Sequence, residues 1–511
     1  MIHVRPGAIG KNDGTSWTDA FASWPDALAA VSTLKNEIWI AGTNIVTETI
    51  PTKAFTFPAV IRGGFTGVEC ALSERPEGHR SVIDGQNNFD TFNFSNTESI
   101  TIDSIEFLRG GYRGLKKTSS AGDVTLTNCV FYGCTRGMGN WDGNGNSNIS
   151  YQYGGGGAGL YGSGSAKATV VDCRFEGNII SGGVSDTGSG NGGFGGGLYV
   201  GSFGGGADIY RCSFVTNYMM RNFDSSRANM AALHVYNTHT TVDECSFYGH
   251  YAEGIADVHG SCSGSIFRRC SFVGNYGGGS GVLSVKLDNA TDTALVENCT
   301  FAYNVSHGLN CVRGATAVTN CIFYGNLVKV NATAAADLRV AADATATVDY
   351  CLFAVPESEG STICVSETTA GTLEIGPHCI YGNPLFVTPT NTVMAQVKSP
   401  EGATMPRALP TNWSWSWSKP VPTFGQVVDY NVHLRGGCGY FDETTGEPVR
   451  EYAAKKAASS PAIDAGDPRS DYKDEPDTPA GWHGRRVNLG AYGNTPWATL
   501  SPFPGAAVYL R

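Results

Sequence analysis

One motif, Cys-x-Phe-x-x-Asn, recurs through the middle of the chain and constrains the fold more than any other feature. It returns at intervals of 22 to 44 residues, in segments such as TNCVFYGC (127–134), VDCRFEGN (171–178) and TNCIFYGN (319–326). Repetition of this kind indicates a solenoid, and the alternation of Cys and Phe predicts a β-strand with one face turned inward. Because the interval varies, the turns must tolerate insertions. This excludes fixed-length helical repeats and favours a parallel β-helix.

The repeated residues are expected to stack as ladders inside the coil. Buried Cys usually behaves as a small hydrophobe, so the pattern favours a row of thiols over paired disulfides among the 15 Cys of the chain. The closing Asn of each unit is expected at a sharp corner, where it adopts left-handed backbone and hydrogen-bonds along the stack. His250 and Cys134 replace this Asn in two units. The predicted ladders are Cys129, Cys173, Cys212, Cys245, Cys270, Cys299, Cys321 and Cys351, and Phe131, Phe175, Phe214, Phe247, Phe272, Phe301 and Phe323.

A second strand follows each corner and is expected to present two columns of side chains to the outside. In GLYVG (197–201), ALHVY (232–236) and ADVHG (256–260), the central Val points inward and its two neighbours point outward. The same alignment places Val312 inward in NCVRG (310–314). The predicted columns are Tyr199, His234, Asp257, Ser284 and Cys311, and beside them Gly201, Tyr236, His259, Lys286 and Arg313.

The segment before the repeats is predicted to cap the N-terminal end of the coil. SWPDALAAVSTL (23–34) predicts a short amphipathic helix with Ser23 as its N-cap, and EIWIAG (37–42) predicts the first strand. Such a helix would cover the open end of the coil, whose unpaired strand edges otherwise promote aggregation.

Three segments stand out at the ends of the chain: RPGAIGKNDGTSWTDAFASWPDALAAV and VIRGGFTGVECALSER near the start, and SSPAIDAGDPRSDYKDEPDTPAGWHGRRVNLGAYGNT near the end. These segments resemble the bacterial right-handed parallel β-helix proteins of the pectate-lyase-like superfamily. The last segment resembles that of a surface or secreted group, and the repeats are also similar to those of polymorphic outer-membrane adhesins. The superfamily includes polysaccharide lyases, glycoside hydrolases, phage tailspikes and non-catalytic adhesins, so the resemblance does not choose among activities.

The resemblance implies an all-β, right-handed parallel β-helix in a secreted or cell-surface protein. We expect the β-helix to cover residues 1–385, with its cap at about 1–45, and an irregular C-terminal segment to cover 386–511. The net charge of −11 argues against nucleic acid or an anionic membrane as the main partner. No apolar run reaches the roughly 18 residues of a membrane span, and the first ten residues contain no signal-peptide core.

The outward columns combine the residue types of an acid/base site. In β-elimination on a uronic-acid polymer, a base removes the C5 proton, a cation neutralises the carboxylate and an acid protonates the leaving oxygen. Lys286 or His259 is the expected base, and Arg313 the partner of the carboxylate. Tyr236 is the expected acid, with Asp257 orienting His259. The candidate catalytic residues are therefore Lys286, His259, Arg313, Tyr236, Asp257 and His234.

Two other functions stay open. Inverting glycoside hydrolysis needs two carboxyl groups about 6.5–9.5 Å apart. Asp257 is one candidate, with Asp224, Glu253 or Asp288 as its partner, although Asp288 is too far along its strand. The third function is glycan binding by a surface adhesin without catalysis. Elimination is favoured because a basic row on an acidic protein suits an anionic polysaccharide substrate.

Aromatic residues beside the columns are candidates for sugar contact. Long segments at 135–159, 179–197 and 218–232 precede the outward strands and are expected to flank them. Their rings would pack against the C–H groups of sugars, as would Tyr199 in the first column. The candidate substrate-binding residues are Tyr199, Trp141, Tyr153, Phe194 and Tyr218.

The C-terminal part carries two further patterns. Trp413, Trp415 and Trp417 alternate on one predicted strand face, which more often forms a hydrophobic seam than a carbohydrate strip. The acidic run Asp464, Asp467 and Asp471 offers oxygen ligands for Ca²⁺, but its spacing matches no defined loop. The sequence requires no cofactor and leaves the oligomeric state open.

Overall fold

The computed structural model describes residues 1–511 except for 112, 137–155, 182–194, 221–229, 251, 278, 328–336, 355–370, 388–430, 437, 443–444, 450–458, 478–483 and 501–511. Nearly all regular structure in this described part is β-strand; the exceptions are one α-helix, Trp24–Ala30 (α1), and one 3₁₀ turn, Leu72–Glu74. Within these residues, no helix is long and apolar enough to cross a membrane.

The strands are short and follow one another in a regular order along the chain. In chain order they are β1 Ile2–Val4, β2 Glu37–Ala41, β3 Thr43–Ile45, β4 Lys53–Phe55, β5 Ala59–Phe65, β6 Ser81–Asp84, β7 Phe92–Asn96, β8 Ile100–Asp103, β9 Ile105–Leu108, β10 Leu115–Ser120, β11 Val124–Thr127, β12 Val130–Tyr132, β13 Thr135–Arg136, β14 Ala158–Gly162, β15 Ala168–Val171, β16 Arg174–Glu176, β17 Ile179–Ser181, β18 Leu198–Gly201, β19 Ala207–Tyr210, β20 Ser213–Val215, β21 Tyr218–Met220, β22 Met230–Tyr236, β23 Thr240–Asp243, β24 Ser246–Tyr248, β25 Gly254–Gly260, β26 Ser265–Arg268, β27 Ser271–Val273, β28 Gly281–Leu287, β29 Thr293–Glu297, β30 Thr300–Ala302, β31 Leu309–Thr319, β32 Ile322–Tyr324, β33 Leu338–Asp349, β34 Leu352–Phe353, β35 Thr372–Ile375, β36 Ile380–Tyr381, β37 Tyr440–Phe441 and β38 Pro448–Val449.

Most of these strands wind into a right-handed parallel β-helix with three faces, which confirms the predicted fold. Outside the three faces, β13, β17 and β21 form a small parallel sheet, and β37 and β38 an antiparallel pair. Face A contains β4, β7, β10, β14, β18, β22, β25, β28 and the first parts of β31 and β33. Face B contains β1, β2, β5, β8, β11, β15, β19, β23, β26, β29, the later parts of β31 and β33, and β35. Face C runs from β3 through β6, β9, β12, β16, β20, β24, β27, β30, β32 and β34 to β36. Every pairing in the three faces is parallel, so each turn of chain lies directly on the one before.

The cysteine and phenylalanine ladders form inside the coil as predicted. Phe107 and Phe353 extend the phenylalanine stack, in which neighbouring ring centroids lie 4.4–5.0 Å apart and the planes are within 13° of parallel. The eight ladder cysteines are buried free thiols. Each Sγ donates to the backbone carbonyl two residues earlier, at 3.2–3.4 Å. The small thiols therefore fill the narrow corner between faces B and C while the rings fill the interior.

The asparagine ladder also forms, but its backbone differs from the prediction. The side chains bond from rung to rung: Asn275 Nδ2 donates to Asn304 Oδ1 at 3.0 Å, and Asn304 Nδ2 to Asn326 Oδ1 at 2.8 Å. The left-handed residue is the one before each Asn, such as Gly274 with φ of 64°. Glycine occupies most of these positions because it adopts positive φ without steric cost. The Asn itself is the buried hydrogen-bonding member of the corner.

His250 takes the place of an Asn in this ladder. Its Nδ1 accepts the backbone N–H of Asn217 at 2.9 Å, and its own backbone N–H donates to Asn275 Oδ1 at 3.1 Å. Burial lowers the pKa of His250 to about 3. The imidazole is therefore neutral in the folded protein, and protonation of Nδ1 would remove the acceptor that Asn217 uses.

We expect His250→Asn to make the fold less sensitive to acid. The unfolded chain binds a proton at His250 near pH 6.5 while the folded chain does not, so stability is lost as pH falls below that value. The loss amounts to about 2 kcal/mol at about pH 5, and the variant should abolish it. Urea unfolding at about pH 7 and pH 5 measures the difference, with His239→Asn, at an exposed histidine, as the control. An unchanged pH dependence in His250→Asn would contradict the assignment.

The N-terminal cap forms with a different first strand. The helix α1 begins after Ser23, whose Oγ accepts the backbone N–H of Asp26 at 3.3 Å, as predicted. It buries Trp24, whose Nε1 donates to the Thr91 carbonyl at 3.1 Å. The first strand, however, is Ile2–Val4, which pairs in parallel with the strand predicted to be first. The chain therefore completes part of a rung before the helix begins.

The C-terminal segment packs on the outside of face C. Apolar side chains of this face, including Val273, Ile322 and Leu352, form a second buried cluster with Phe386, Leu434, Ala462, Ile463 and Leu489. Hydrogen bonds fix the segment at one corner: Asn298 Nδ2 donates to the Asn488 carbonyl at 3.0 Å, and the Asp467 N–H donates to Asn320 Oδ1 at 2.7 Å. The closing segment is thus held by the left-handed corner residues of two rungs.

Candidate active site

Four outward residues of face A form one continuous row. Strand pairing places Tyr236 beside His259, His259 beside Lys286, and Lys286 beside Arg313. Neighbouring rungs are roughly 4.8 Å apart, so each side chain reaches the next. We call these four residues the face A row. These are the residues of the second predicted column, except for Gly201.

The register of the last member depends on a bulge that the sequence alignment did not include. Val285 pairs with Cys311 and Lys286 with Arg313, so Val312 is the additional residue. Cys311 therefore points into the core, where it is buried, and was wrongly predicted to point outward. Asn310 takes its place in the outer column beside Ser284, followed by Arg339 on the next rung. Without the bulge, Arg313 would not lie beside Lys286.

A buried histidine–aspartate pair lies next to the face A row. His234 Nδ1 and Asp257 Oδ1 are 2.5 Å apart on neighbouring rungs, and both side chains are at most 5% exposed. The expectation that Asp257 orients His259 is therefore wrong, because its carboxylate bonds His234. The His234 ring stacks on Tyr236 at 6.2 Å and meets His259 edge-on at 6.2 Å. The pair thus packs beside the two aromatic members of the row.

Tyr199 covers the other side of His234. Its ring lies 5.4 Å from His234 and stacks on Tyr161 at 4.8 Å. Gly201 leaves the space that this ring needs, since a Cβ there would lie 2.5 Å from the Tyr199 hydroxyl oxygen. Tyr199 is buried, so in this arrangement it packs on the histidine rather than offering a free face to sugar.

The row becomes more exposed towards the C-terminal rungs. Tyr236 and His259 are partly buried, whereas Lys286 and Arg313 are exposed. Burial lowers the pKa of His259 below its ordinary value; the charge of Asp257 opposes this shift and that of Lys286 adds to it. His259 is therefore a neutral imidazole at neutral pH, next to an ammonium group.

Arg313 is held by acidic and carbonyl groups around it. Its Nη2 lies 3.2 Å from Asp343 Oδ2 on the next rung, and its Nη1 donates to the Asp288 carbonyl at 3.5 Å. The side chains of Arg313 and Asp343 are 45% and 64% exposed, so the ion pair is weak and open to exchange. A carboxylate from solution could replace Asp343 on this guanidinium.

Breaking the buried pair should destabilise the protein. Asp257→Ala leaves the His234 Nδ1 without its carboxylate partner, and an unsatisfied buried polar group costs about 1–3 kcal/mol. Chemical denaturation of the variant measures this loss. Asp208→Ala removes a half-exposed carboxylate on face B that pairs with Lys167, and serves as the control. Equal stability of the two variants would show that the pair contributes nothing to the fold.

The described carboxylates proposed for hydrolysis are each bonded to a different neighbour. Asp257 is buried against His234, and Asp288 Oδ2 accepts the Ser261 hydroxyl at 2.6 Å. Glu253 Oε2 accepts the Gly279 N–H at the corner that precedes face A. Asp224 lies outside the described residues.

Several sequence-predicted residues lie outside the described part of the chain. Trp141, Tyr153 and Phe194 belong to the segments before β14 and β18, and Tyr218 is described only as a backbone position in β21. The three tryptophans of 411–420 also lie outside it. Their role in sugar contact stays a prediction.

The acidic run near the C-terminus makes local contacts. Both Asp467 oxygens accept from Arg469, at 2.6–3.2 Å, and the Asp464 N–H donates to Asn488 Oδ1. Asp471 is exposed and accepts backbone N–H groups of the next two residues. In the described part of the chain, no three His, Cys, Asp or Glu side chains are grouped as a metal ion would need.

Sequence reasoning missed Asn310, Arg339 and Asp343 as neighbours of the site. Asn310 lies on the strand where the alignment on Val312 fails by one residue. Arg339 and Asp343 lie on the next rung, where a second register shift places Asp343 beside Arg313. The sequence LRVAAD (338–343) contains both charged residues, but only the pairing of Arg313 with Asp343 shows that they extend the columns.

Comparison with known proteins adds little to this picture. No family model matches the chain, and none of the curated proteins does. Among solved structures, the chain is similar to pectate lyase Pel9A at 12% identity, with a TM-score of 0.43 and 96% of each chain covered. It is also similar to a mannuronic-acid-specific polysaccharide family 6 lyase from human gut microbiota at 10% identity, with a TM-score of 0.30, covering 72% of this chain and 88% of that one. Similarity at this level assigns no activity, so the residues of the site alone bear on function.

Proposed function

We propose that the protein is an extracellular polysaccharide lyase that cleaves a uronic-acid-containing glycan by β-elimination at the face A row. The observation that carries the proposal is the strand register, which aligns Tyr236, His259, Lys286 and Arg313 on successive rungs. An acid, a neutral base and two cations on one exposed strip are the groups that the reaction needs.

His259 is the preferred base for the C5 proton. It is neutral at neutral pH because burial lowers its pKa, and it lies between the candidate acid and the cations. Lys286 and Arg313 neutralise the substrate carboxylate, which makes the C5 proton more acidic and stabilises the negative charge that develops. Tyr236 then protonates the leaving oxygen. His234 and Asp257 hold Tyr236 and His259 in place and do not touch the substrate.

A polysaccharide assay separates this function from its alternatives. Polygalacturonate, alginate, hyaluronan and a neutral β-glucan are incubated with the protein, and reducing ends and ultraviolet absorbance are followed together. Elimination yields one conjugated double bond for each new reducing end, on acidic polymers only. Reducing ends without the absorbance would establish hydrolysis and overturn the proposal. Retention of a polymer without cleavage would leave a glycan-binding surface protein.

A further inference from the structure

The positive charge of the site is confined to a short stretch of face A. Among the described residues of the row and its extension, Lys286 and Arg313 are the cations, and Asp343 follows directly on the next rung. On the other side lie His259, Tyr236 and Gly201, which carry no charge at neutral pH. The strip therefore changes from uncharged to positive to negative over a few rungs.

The neighbouring column does not extend the positive stretch along the row. It contains Ser284 and Asn310, which are uncharged, and then Arg339. The Arg339 Nη1 donates to the Gly279 carbonyl at 3.3 Å, at the corner that precedes face A. Its guanidinium is thus directed away from Asp343. Asp343 therefore remains the exposed, negatively charged end of the row.

A polymer lying along this row would meet one residue type per rung. Rungs are roughly 4.8 Å apart, a distance comparable to the advance of one pyranose unit in an extended chain. A carboxylate bound by both Lys286 and Arg313 would lie between their two rungs. If every unit carried a carboxylate, that of the next unit would then lie between the rungs of Arg313 and Asp343. Like charges on neighbouring rungs repel, and the Asp343 side chain is 64% exposed and reaches to 3.2 Å from Arg313 Nη2, between these two rungs.

We infer that the site selects uronates that are separated by uncharged sugars, and that Asp343 is the residue that imposes this selection. The inference rests on the proposed lyase function, since it concerns the same row. Asp343 acts in two ways. It occupies Arg313 until a substrate carboxylate replaces it, and it then repels a second carboxylate on the next unit.

The test compares charge density on one backbone. Polygalacturonate and alginate are each prepared as the fully charged polymer and as a partly methyl-esterified sample, and kcat/KM for unsaturated product is measured. Wild type should prefer the esterified sample. Asp343→Asn should reduce this preference by about fivefold, the size of one exposed charge interaction. Asp208→Asn changes the net charge equally on face B and should leave the preference unchanged.

The outcomes separate this inference from the proposed function. Elimination with no preference for the esterified sample, or with a preference that Asp343→Asn does not reduce, overturns the inference and leaves the lyase intact. Absence of unsaturated product from all four samples, and from hyaluronan as well, overturns the lyase. In that case, retardation of wild type and Asp343→Asn in native gels containing each polymer still decides the inference. Stronger retardation of the variant by the fully charged polymers supports it, and equal or absent retardation overturns it.

Discussion

Replacing Phe247 with alanine is expected to lower the free energy of unfolding by about 3–5 kcal/mol. The ring is fully buried in the middle of the stack, 4.7 Å from Phe214 and 4.4 Å from Phe272, and nearly parallel to both. The variant loses the transfer energy of the side chain and leaves a cavity that two rigid neighbours cannot fill. It also breaks two stacked pairs, each worth about 0.5–1.5 kcal/mol.

Phe247→Ala should destabilise the neighbouring turns of the coil before it destabilises the whole fold. Each turn of a solenoid contacts only its neighbours, so weakening one turn can divide the cooperative unit. Hydrogen exchange should therefore accelerate first in β20, β24 and β27, and urea unfolding should begin at a lower concentration. Tyr132→Ala, at an exposed outward position of the same face, is the matched control. A loss below about 1 kcal/mol would show that the stack is not the source of stability.

Replacing His259 with glutamine is expected to lower kcat on the cleaved acidic polymer by about 10²–10⁴-fold. Glutamine keeps the size and polarity of the side chain but cannot take the C5 proton. Because the fold does not depend on the base, the unfolding curve should be unchanged. His239→Gln replaces an exposed histidine at a corner outside the row and should retain full activity. Activity that survives His259→Gln would show that another residue is the base.

The pH dependence of wild type distinguishes the two candidate bases. The neutral imidazole is the active form, so kcat/KM should rise with pH through a value below about 6.5 and then stay constant. Lys286→Met removes a charge that lowers the His259 pKa, so the rise should move to higher pH. If Lys286 were the base, Lys286→Met would abolish the activity instead of moving the rise.

The fold could be predicted because the spacing of the repeated residues determines the geometry of the coil. Cys and Phe alternate with period two, and each pair returns once per turn, so the ladders follow from spacing alone. The first strand was missed because Ile2–Val4 has only three residues and is followed by a helix. The left-handed corner residue was missed because it precedes the Asn and is sometimes Thr216 or Tyr303, which give no signal of positive φ.

The site could be predicted only as far as the register was regular. The row was found because its strands align on a central Val from β18 to β28. The bulge at Val312 inserts one residue with no glycine or proline to mark it, so Cys311 was assigned to the wrong side. The prediction that Asp257 bonds His259 was wrong for a geometric reason. A residue two positions along a strand is about 6.6 Å away, whereas His234 on the adjacent rung is roughly 4.8 Å away.

The mass spectrum of the oligosaccharides released from an acidic polymer tests the central claim most directly. Elimination adds no water across the cleaved bond, so each new non-reducing end should be one water lighter than the hydrolysis product. We predict this mass for wild type, its near loss in His259→Gln, and no ¹⁸O uptake when the reaction is run in labelled water. Products with the mass of hydrolysis, with the label incorporated, would contradict the assignment of the face A row as an eliminating site.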